Sequence, residues 1–167
     1  MKTLIIGLGN PIVGDDAIGI KIVEWLQQTN LFSPNVKIQP DVSLSGIGLV
    51  ELFQSYDQVI IIDSIITEKN RPGTVRVLHP DQFLSAHHVS DFHNMDFFTA
   101  LEWGYQTFKN IPPKEKITII GIEIQYVQEF SDTLSPEIRN QLKSIQKTVY
   151  NQIRKILNKR EVLFNAL

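Results

Sequence analysis

The sequence contains no cysteine, and this absence alone removes several kinds of chemistry. Disulfide bonds, thiolate nucleophiles and cysteine-based zinc sites all need that residue. The sequence also has no apolar run close to the roughly 20 residues that a membrane-spanning helix requires. Its first residues lead directly into a strand pattern rather than into a signal-peptide pattern. We therefore expect a cytoplasmic protein without a membrane segment.

An excess of positive charge is missing as well. The chain has 16 lysine and arginine residues against 18 aspartate and glutamate residues, which gives a formal net charge of −2. Because nucleic-acid-binding proteins normally carry a basic patch, we expect no nucleic-acid partner. A chain of 167 residues with 43% hydrophobic residues is typical of one globular domain. We predict a monomer with a single domain over residues 1–160 and a C-terminal tail over residues 161–167.

Short segments rich in valine and isoleucine alternate with segments of helical periodicity. Nearly continuous apolar runs such as Val59–Ile62 are typical of strands that helices cover on both faces. The predicted strands are Leu4–Gly7, Val36–Ile38, Val59–Asp63, Val75–Leu78 and Ile117–Ile122. The turn signal at residues 71–73 suggests that the fourth strand folds back beside a neighbour. The pattern predicts the α/β class: a single three-layer domain with a mostly parallel, twisted sheet of about five strands and helices on both faces.

Helices are predicted where apolar residues recur at spacings of three and four. The first begins near Ile18, and Gly19 is expected to let it approach the sheet closely. Ser135 and Pro136 are typical of the residues that cap and start a helix, here the last one. The second and third predicted helices are Gly46–Phe53 and Asn94–Phe108, and the last is Pro136–Leu157.

The stretch from Gly7 to Gly19 has the order strand, glycine turn and helix, which binds a phosphate in nucleotide-binding folds. Here Asp15 and Asp16 occupy the place of the phosphate and would repel it. The loop is therefore better suited to present carboxylates, for example to a cation, than to bind a nucleotide. Either aspartate could instead cap the helix that follows.

Two further segments bring polar side chains to the sheet edge where ligands of open α/β sheets bind. Asp63 ends the third predicted strand, and the histidine-rich segment 87–93 precedes the third helix. Two carboxylates and one imidazole suit a divalent metal such as nickel or zinc. We favour His93 over His87 and His88, because a helix N-terminus disfavours imidazolium and only neutral imidazole binds metal. Structural roles stay open: Asp63 could accept hydrogen bonds in a turn, and a single histidine is often structural.

Four sequence elements, in their order and spacing, resemble the nickel–iron hydrogenase maturation endopeptidases: Gly-Leu-Gly-Asn, Asp-Asp-Ala-Ile-Gly, Ile-Ile-Asp and His-Asn-Met. The resemblance covers roughly residues 3–155. It implies an aspartyl-type endopeptidase that removes the C-terminal extension of the hydrogenase large-subunit precursor after nickel has been inserted. It also implies that Asp16, Asp63 and His93 are the catalytic residues and bind the nickel carried by that precursor. The free protein is then expected to hold metal weakly or not at all.

One loop departs from the family pattern. Many members have Asp-Gly-Gly-Thr-x-Gly where this chain has Asp-Val-Ser-Leu-Ser-Gly at residues 41–46. We expect this loop, Asp41–Gly46, and the segment Phe83–Phe92 to form the walls around the substrate tail, because both flank predicted ligands.

Two other functions stay open at this point. A non-catalytic nickel-binding chaperone of hydrogenase assembly could use the same three side chains. The start Gly-Leu-Gly-Asn-Pro also resembles that of bacterial peptidyl-tRNA hydrolases, which have a catalytic histidine near the first helix and a basic surface. Here the first histidine is His79 and the net charge is negative, which disfavours a tRNA substrate.

Overall fold

The computed structural model of the chain describes residues 1–40, 44, 46–83, 97–125 and 130–158. Its strands are β1 Thr3–Gly7, β2 Val36–Gln39, β3 Gln58–Ile65, β4 Val75–Leu78 and β5 Ile117–Glu123. Its helices are α1 Ile18–Thr29, α2 Gly46–Glu51, α3 Pro80–Phe83, α4 Phe97–Thr107 and α5 Pro136–Asn158. Two 3₁₀ turns lie at Gly14–Ala17 and Lys114–Lys116.

The strands form one sheet in the order β2-β1-β3-β5-β4. Strands β1, β2, β3 and β5 run parallel, and β4 pairs antiparallel with β5 at the edge. Both the mostly parallel sheet and the returning fourth strand are therefore confirmed. Every residue of β3 and β5 is buried, which explains why these segments are almost continuously apolar.

Alternate residues of the central strands pack against different helices, because successive side chains of a strand point to opposite faces. Ile61 belongs to the core that includes residues of α2 and α4. Ile60 belongs to the core that includes residues of α1 and α5. The predicted arrangement of three layers, with helices on both faces of the sheet, is confirmed.

The sequence pattern located most element boundaries within two residues, with some instructive differences. Strand β3 was predicted to end at Asp63 but continues to Ile65, because Ile65 is apolar and pairs with Glu123 of β5. Helix α2 ends at Glu51 rather than Phe53. The one-turn helix α3 was not predicted, since four residues are too few to show a helical period. The predicted helix start at Asn94 and the tail 161–167 lie outside the described residues.

The connections place a topological switch point between β1 and β3. From β1 the chain passes through α1 to β2 on one side, and then through α2 on the opposite face to β3 on the other side. Ligands of open α/β sheets bind at the carboxyl ends of the strands at such a point. Of the helices within the described ranges, none has the length and apolar character to cross a membrane.

Candidate active site

The loop after β1 is held close to β3 and to the first turn of the following helix. The N–H of Leu8 donates to the carbonyl of Ile62 at 2.9 Å. Gly9 has a φ of +136°, and a Cβ at this position would lie 2.0 Å from the carbonyl oxygen of Asp16. Only glycine fits both this backbone conformation and this contact. The glycine therefore brings the backbone of residue 16 up to the end of the sheet.

A second segment holds the other end of this loop. Val13 and Ser131 form an isolated parallel bridge. The Ser131 N–H donates to the Ile12 carbonyl at 3.0 Å, and the Gly14 N–H donates to the Ser131 carbonyl at 2.7 Å. The loop that carries the two aspartates is thus bound on both sides by backbone hydrogen bonds.

Asp16 is only 2% exposed, and both of its carboxylate oxygens accept short hydrogen bonds. Oδ2 accepts the N–H of Asn10 at 2.7 Å, and Oδ1 accepts the hydroxyl of Ser64 at 2.6 Å. These partners fix the orientation of the carboxylate. Because a carboxylate offers about four lone-pair positions, Asp16 can still accept a further ligand.

Asp63 lies two residues before the end of β3 and is 8% exposed. Its Oδ1 accepts the N–H of Ser64 at 2.8 Å. Ser64 therefore contacts both predicted acidic ligands, Asp16 through its hydroxyl and Asp63 through its amide. The two carboxylates thus share Ser64 as a hydrogen-bond partner at the switch point, while their common role as ligands stays a prediction.

Asp15 has a different partner from its neighbour. It is 4% exposed, and its Oδ1 accepts the N–H of Ser135, the residue before α5, at 2.7 Å. The possibility that Asp15 or Asp16 caps α1 is not realised, because the N-cap residue of that helix is Ala17 and no side-chain cap bond is present. Asp15 instead connects the site loop to α5.

Another buried carboxylate, Glu123, lies at the end of β5. It accepts the N–H of Thr67 at 2.6 Å and the hydroxyl of Thr67 at 2.8 Å. Its own N–H and carbonyl bond to residues 73 and 74 in the turn before β4. These contacts indicate that Glu123 fixes the connection between β3 and β4.

The third predicted ligand, His93, lies outside the described residues, as do His87 and His88. The same holds for nearly all of the two segments expected to form the substrate walls. Within the described ranges, no group of three or more histidine, aspartate and glutamate side chains is arranged to hold a metal ion. The assignment of His93 therefore stays a prediction.

Ser64 and Asn10 are partners of Asp16 that the sequence patterns do not identify. The signal for Ser64 was its position directly after Asp63, since alternation along a strand turns the next side chain to the opposite face. That face is the one on which α1 packs, and Asp16 lies in the turn before α1. The contact of Asn10 comes from its backbone N–H, which carries no residue-specific signal.

The fold and the site define the chain as a doubly wound α/β protein with two buried carboxylates at its switch point. Comparison with known proteins specifies this class further. The family model described as "Hydrogenase maturation protease" matches residues 20–152. The chain therefore belongs to the hydrogenase maturation protease family, and the resemblance seen in its motifs is confirmed.

Individual relatives agree with the family match. The chain is 37% identical over 82 residues to the hydrogenase 2 maturation protease of Escherichia coli, an alignment that covers 49% of each protein. It is 29% identical over 142 residues to the hydrogenase expression/formation protein HoxM of Azotobacter vinelandii, covering 83% of this chain and 66% of that protein. The chain thus spans about half of the first relative's length and about two thirds of the second's.

A solved structure supports the same fold. The hydrogenase maturating endopeptidase HybD from Escherichia coli superposes with a TM-score of 0.69 and 26% identity, and the match covers 93% of each chain. Nothing in these comparisons favours a chaperone or a peptidyl-tRNA hydrolase.

Proposed function

We propose that this chain is an endopeptidase that removes the C-terminal extension of a nickel–iron hydrogenase large-subunit precursor after nickel insertion. Family membership supports the class of reaction. The observation that supports the site is that Asp16 and Asp63 both accept hydrogen bonds from Ser64. We add His93 as the third ligand, and we place the protein in the cytoplasm as a monomer.

In this proposal the nickel ion is part of the substrate. Asp16, Asp63 and His93 bind the ion in the precursor, and the ion polarises the scissile carbonyl or activates a water molecule. A serine acyl-enzyme is disfavoured, because Ser64 is 2% exposed and its hydroxyl already donates to Asp16. The chain has no cysteine that could serve as nucleophile instead.

The same arrangement supports selectivity for loaded precursor. In the loaded precursor the nickel ion brings positive charge to the carboxylates of Asp16 and Asp63, and this attraction contributes to docking. A precursor that lacks nickel cannot make this contact and docks more weakly, so discrimination follows from the difference in affinity. Because three protein ligands leave coordination positions open, the isolated chain is expected to bind Ni²⁺ with a Kd on the order of micromolar or weaker.

The decisive experiment incubates the purified chain with nickel-loaded and with metal-free large-subunit precursor. Mass spectrometry of the precursor should show loss of its C-terminal extension only for the loaded form. Cleavage of both forms at equal rates would refute the role of nickel in recognition. Binding of the loaded precursor without any shortening would identify a chaperone instead of a protease.

A further inference from the structure

We propose that Ser64 is a positioning residue that sets the relative placement of Asp16 and Asp63. The inference rests on the proposed function in one respect only, namely that these carboxylates bind the substrate's nickel. The placement itself follows from contacts within the free protein. The Ser64 hydroxyl donates to Asp16 Oδ1 at 2.6 Å, and the Ser64 N–H donates to Asp63 Oδ1 at 2.8 Å.

The register of the sheet explains why residue 64 is the one that can make both contacts. Ser64 pairs with Ile122, whose side chain belongs to the core on the α1 and α5 face. Its side chain therefore points to the face where Asp16 precedes α1. Asp63 is adjacent in the strand and points to the opposite face, so the two carboxylates reach the sheet edge from different sides. Ser64 is their shared contact.

The two hydrogen bonds that Ser64 donates can be separated experimentally. The bond to Asp63 uses the backbone N–H, which every residue except proline retains. The bond to Asp16 uses the hydroxyl, so Ser64→Ala removes this hydrogen bond alone. Ser64→Thr keeps a hydroxyl on a β-branched residue that suits a strand.

A positioning role predicts a measurable effect on metal binding. The hydroxyl–carboxylate distance of 2.6 Å lies in the range of strong charge-assisted bonds, which hold a carboxylate in one orientation. Removing groups that orient metal ligands typically lowers metal affinity or activity by about 10- to 100-fold. Removing a nucleophile would instead abolish turnover while leaving metal affinity intact.

The first measurement is the side-chain conformation of Asp16 in the metal-free chain, by NMR three-bond couplings or high-resolution crystallography. Wild type and Ser64→Thr should show one χ1 rotamer, and Ser64→Ala should populate more than one. This result does not depend on the proposed function. A single unchanged rotamer in Ser64→Ala would overturn the positioning role, even if nickel chemistry proved correct.

The second measurement is calorimetric titration with Ni²⁺, combined with kcat/KM for nickel-loaded precursor. Ser64→Ala should lower the affinity for Ni²⁺ and the kcat/KM each by about 10- to 100-fold, and Ser64→Thr should restore most of the loss. Thr118→Ala is the matched control, because Thr118 is a buried hydroxyl residue of β5 on the same face, in register with Ile60. An equal loss in Thr118→Ala would reduce the effect to general destabilisation and contradict the proposal.

The two measurements distinguish failure of the inference from failure of the proposed function. A wild-type chain that processes no precursor would refute the protease, while the rotamer comparison would still decide the role of Ser64. Total loss of turnover in Ser64→Ala with unchanged Ni²⁺ affinity would identify a nucleophile and overturn the positioning role.

Discussion

The backbone N–H of Ser135 donates a hydrogen bond to Asp15 Oδ1 at 2.7 Å, between residues 120 positions apart in the chain. Ser135 also caps α5, since its hydroxyl accepts the N–H of Ile138 at 3.3 Å. The start of α5 is thereby attached to the loop that carries the site. Adjacent aspartates thus divide two tasks: Asp15 joins α5 to the loop, and Asp16 contacts β3 through Ser64.

This division predicts that Asp15 contributes to stability rather than to catalysis. Asp15→Ala should lower the free energy of unfolding by about 1.5–3 kcal/mol, the usual range for a hydrogen bond to a charged group. Asp15→Asn keeps an acceptor oxygen and should cost less. Urea unfolding monitored by circular dichroism measures the free energy of unfolding of both variants. Normal stability together with lost processing in Asp15→Ala would contradict the assignment.

Substitution of a proposed nickel ligand should, in contrast, slow processing of the precursor. Asp16→Ala and His93→Ala should each slow processing of nickel-loaded precursor by at least about 100-fold, beyond the loss typical when only a ligand's supporting group is removed. Timed mass spectrometry of the precursor provides the rates, and Asp15→Asn serves as the acidic-loop control. Wild-type rates in both alanine variants would show that these residues do not act on the ion.

Local patterns were sufficient to predict the sheet but not the partners of the site. Apolar runs such as residues 59–62 predict buried strands, because a strand that is covered on both faces is apolar at nearly every position. The bond between Asp15 and Ser135 could not be predicted, because it depends on how α5 packs against a loop far away in sequence. The pairing of Asp16 with Ser64 depends on register between helix and strand, which a single sequence does not encode locally.

The two glycines Gly9 and Gly19 differ in how much of their role the sequence indicates. Gly19 was predicted to allow close helix packing, and a Cβ there would lie 2.3 Å from the Leu8 carbonyl and 2.4 Å from that of Ile62. The prediction is confirmed. That Gly9 would contact the carbonyl of residue 16 was not visible in the sequence, because the contact arises from the three-dimensional path of the loop.

Gly9→Ala should therefore destabilise the fold and displace Asp16. A backbone φ of +136° is nearly restricted to glycine, and another residue in this conformation is destabilised by about 1–3 kcal/mol. The 2.0 Å distance between the added Cβ and the Asp16 carbonyl oxygen increases this cost. Gly48→Ala in α2 is the matched control, because its Cβ would meet only the Leu44 side chain at 3.8 Å. The control should gain roughly 0.5–1 kcal/mol from helix propensity. Equal stability of the two variants in thermal unfolding would refute the role of Gly9.

Tyr105 of α4 provides a prediction about pH that is independent of the site. Its hydroxyl donates to the Pro112 carbonyl at 2.9 Å. Burial, and secondarily the negative charges of Glu115 and Glu102, raise the pKa of Tyr105 from 10.0 to about 12. The folded protein therefore keeps this proton over a pH range in which the unfolded chain releases it.

The sign of the effect follows from proton linkage. Between pH 10 and about 12 the unfolded state binds fewer protons at this residue, so the free energy of unfolding falls as pH rises. Below pH 10 the contribution is fully present. Tyr105→Phe should be less stable than wild type by about 0.5–1.5 kcal/mol at pH 8, because it lacks the hydrogen bond. Urea unfolding at several pH values should show this difference shrinking above pH 10, and a difference that stayed constant up to pH 12 would contradict the raised pKa.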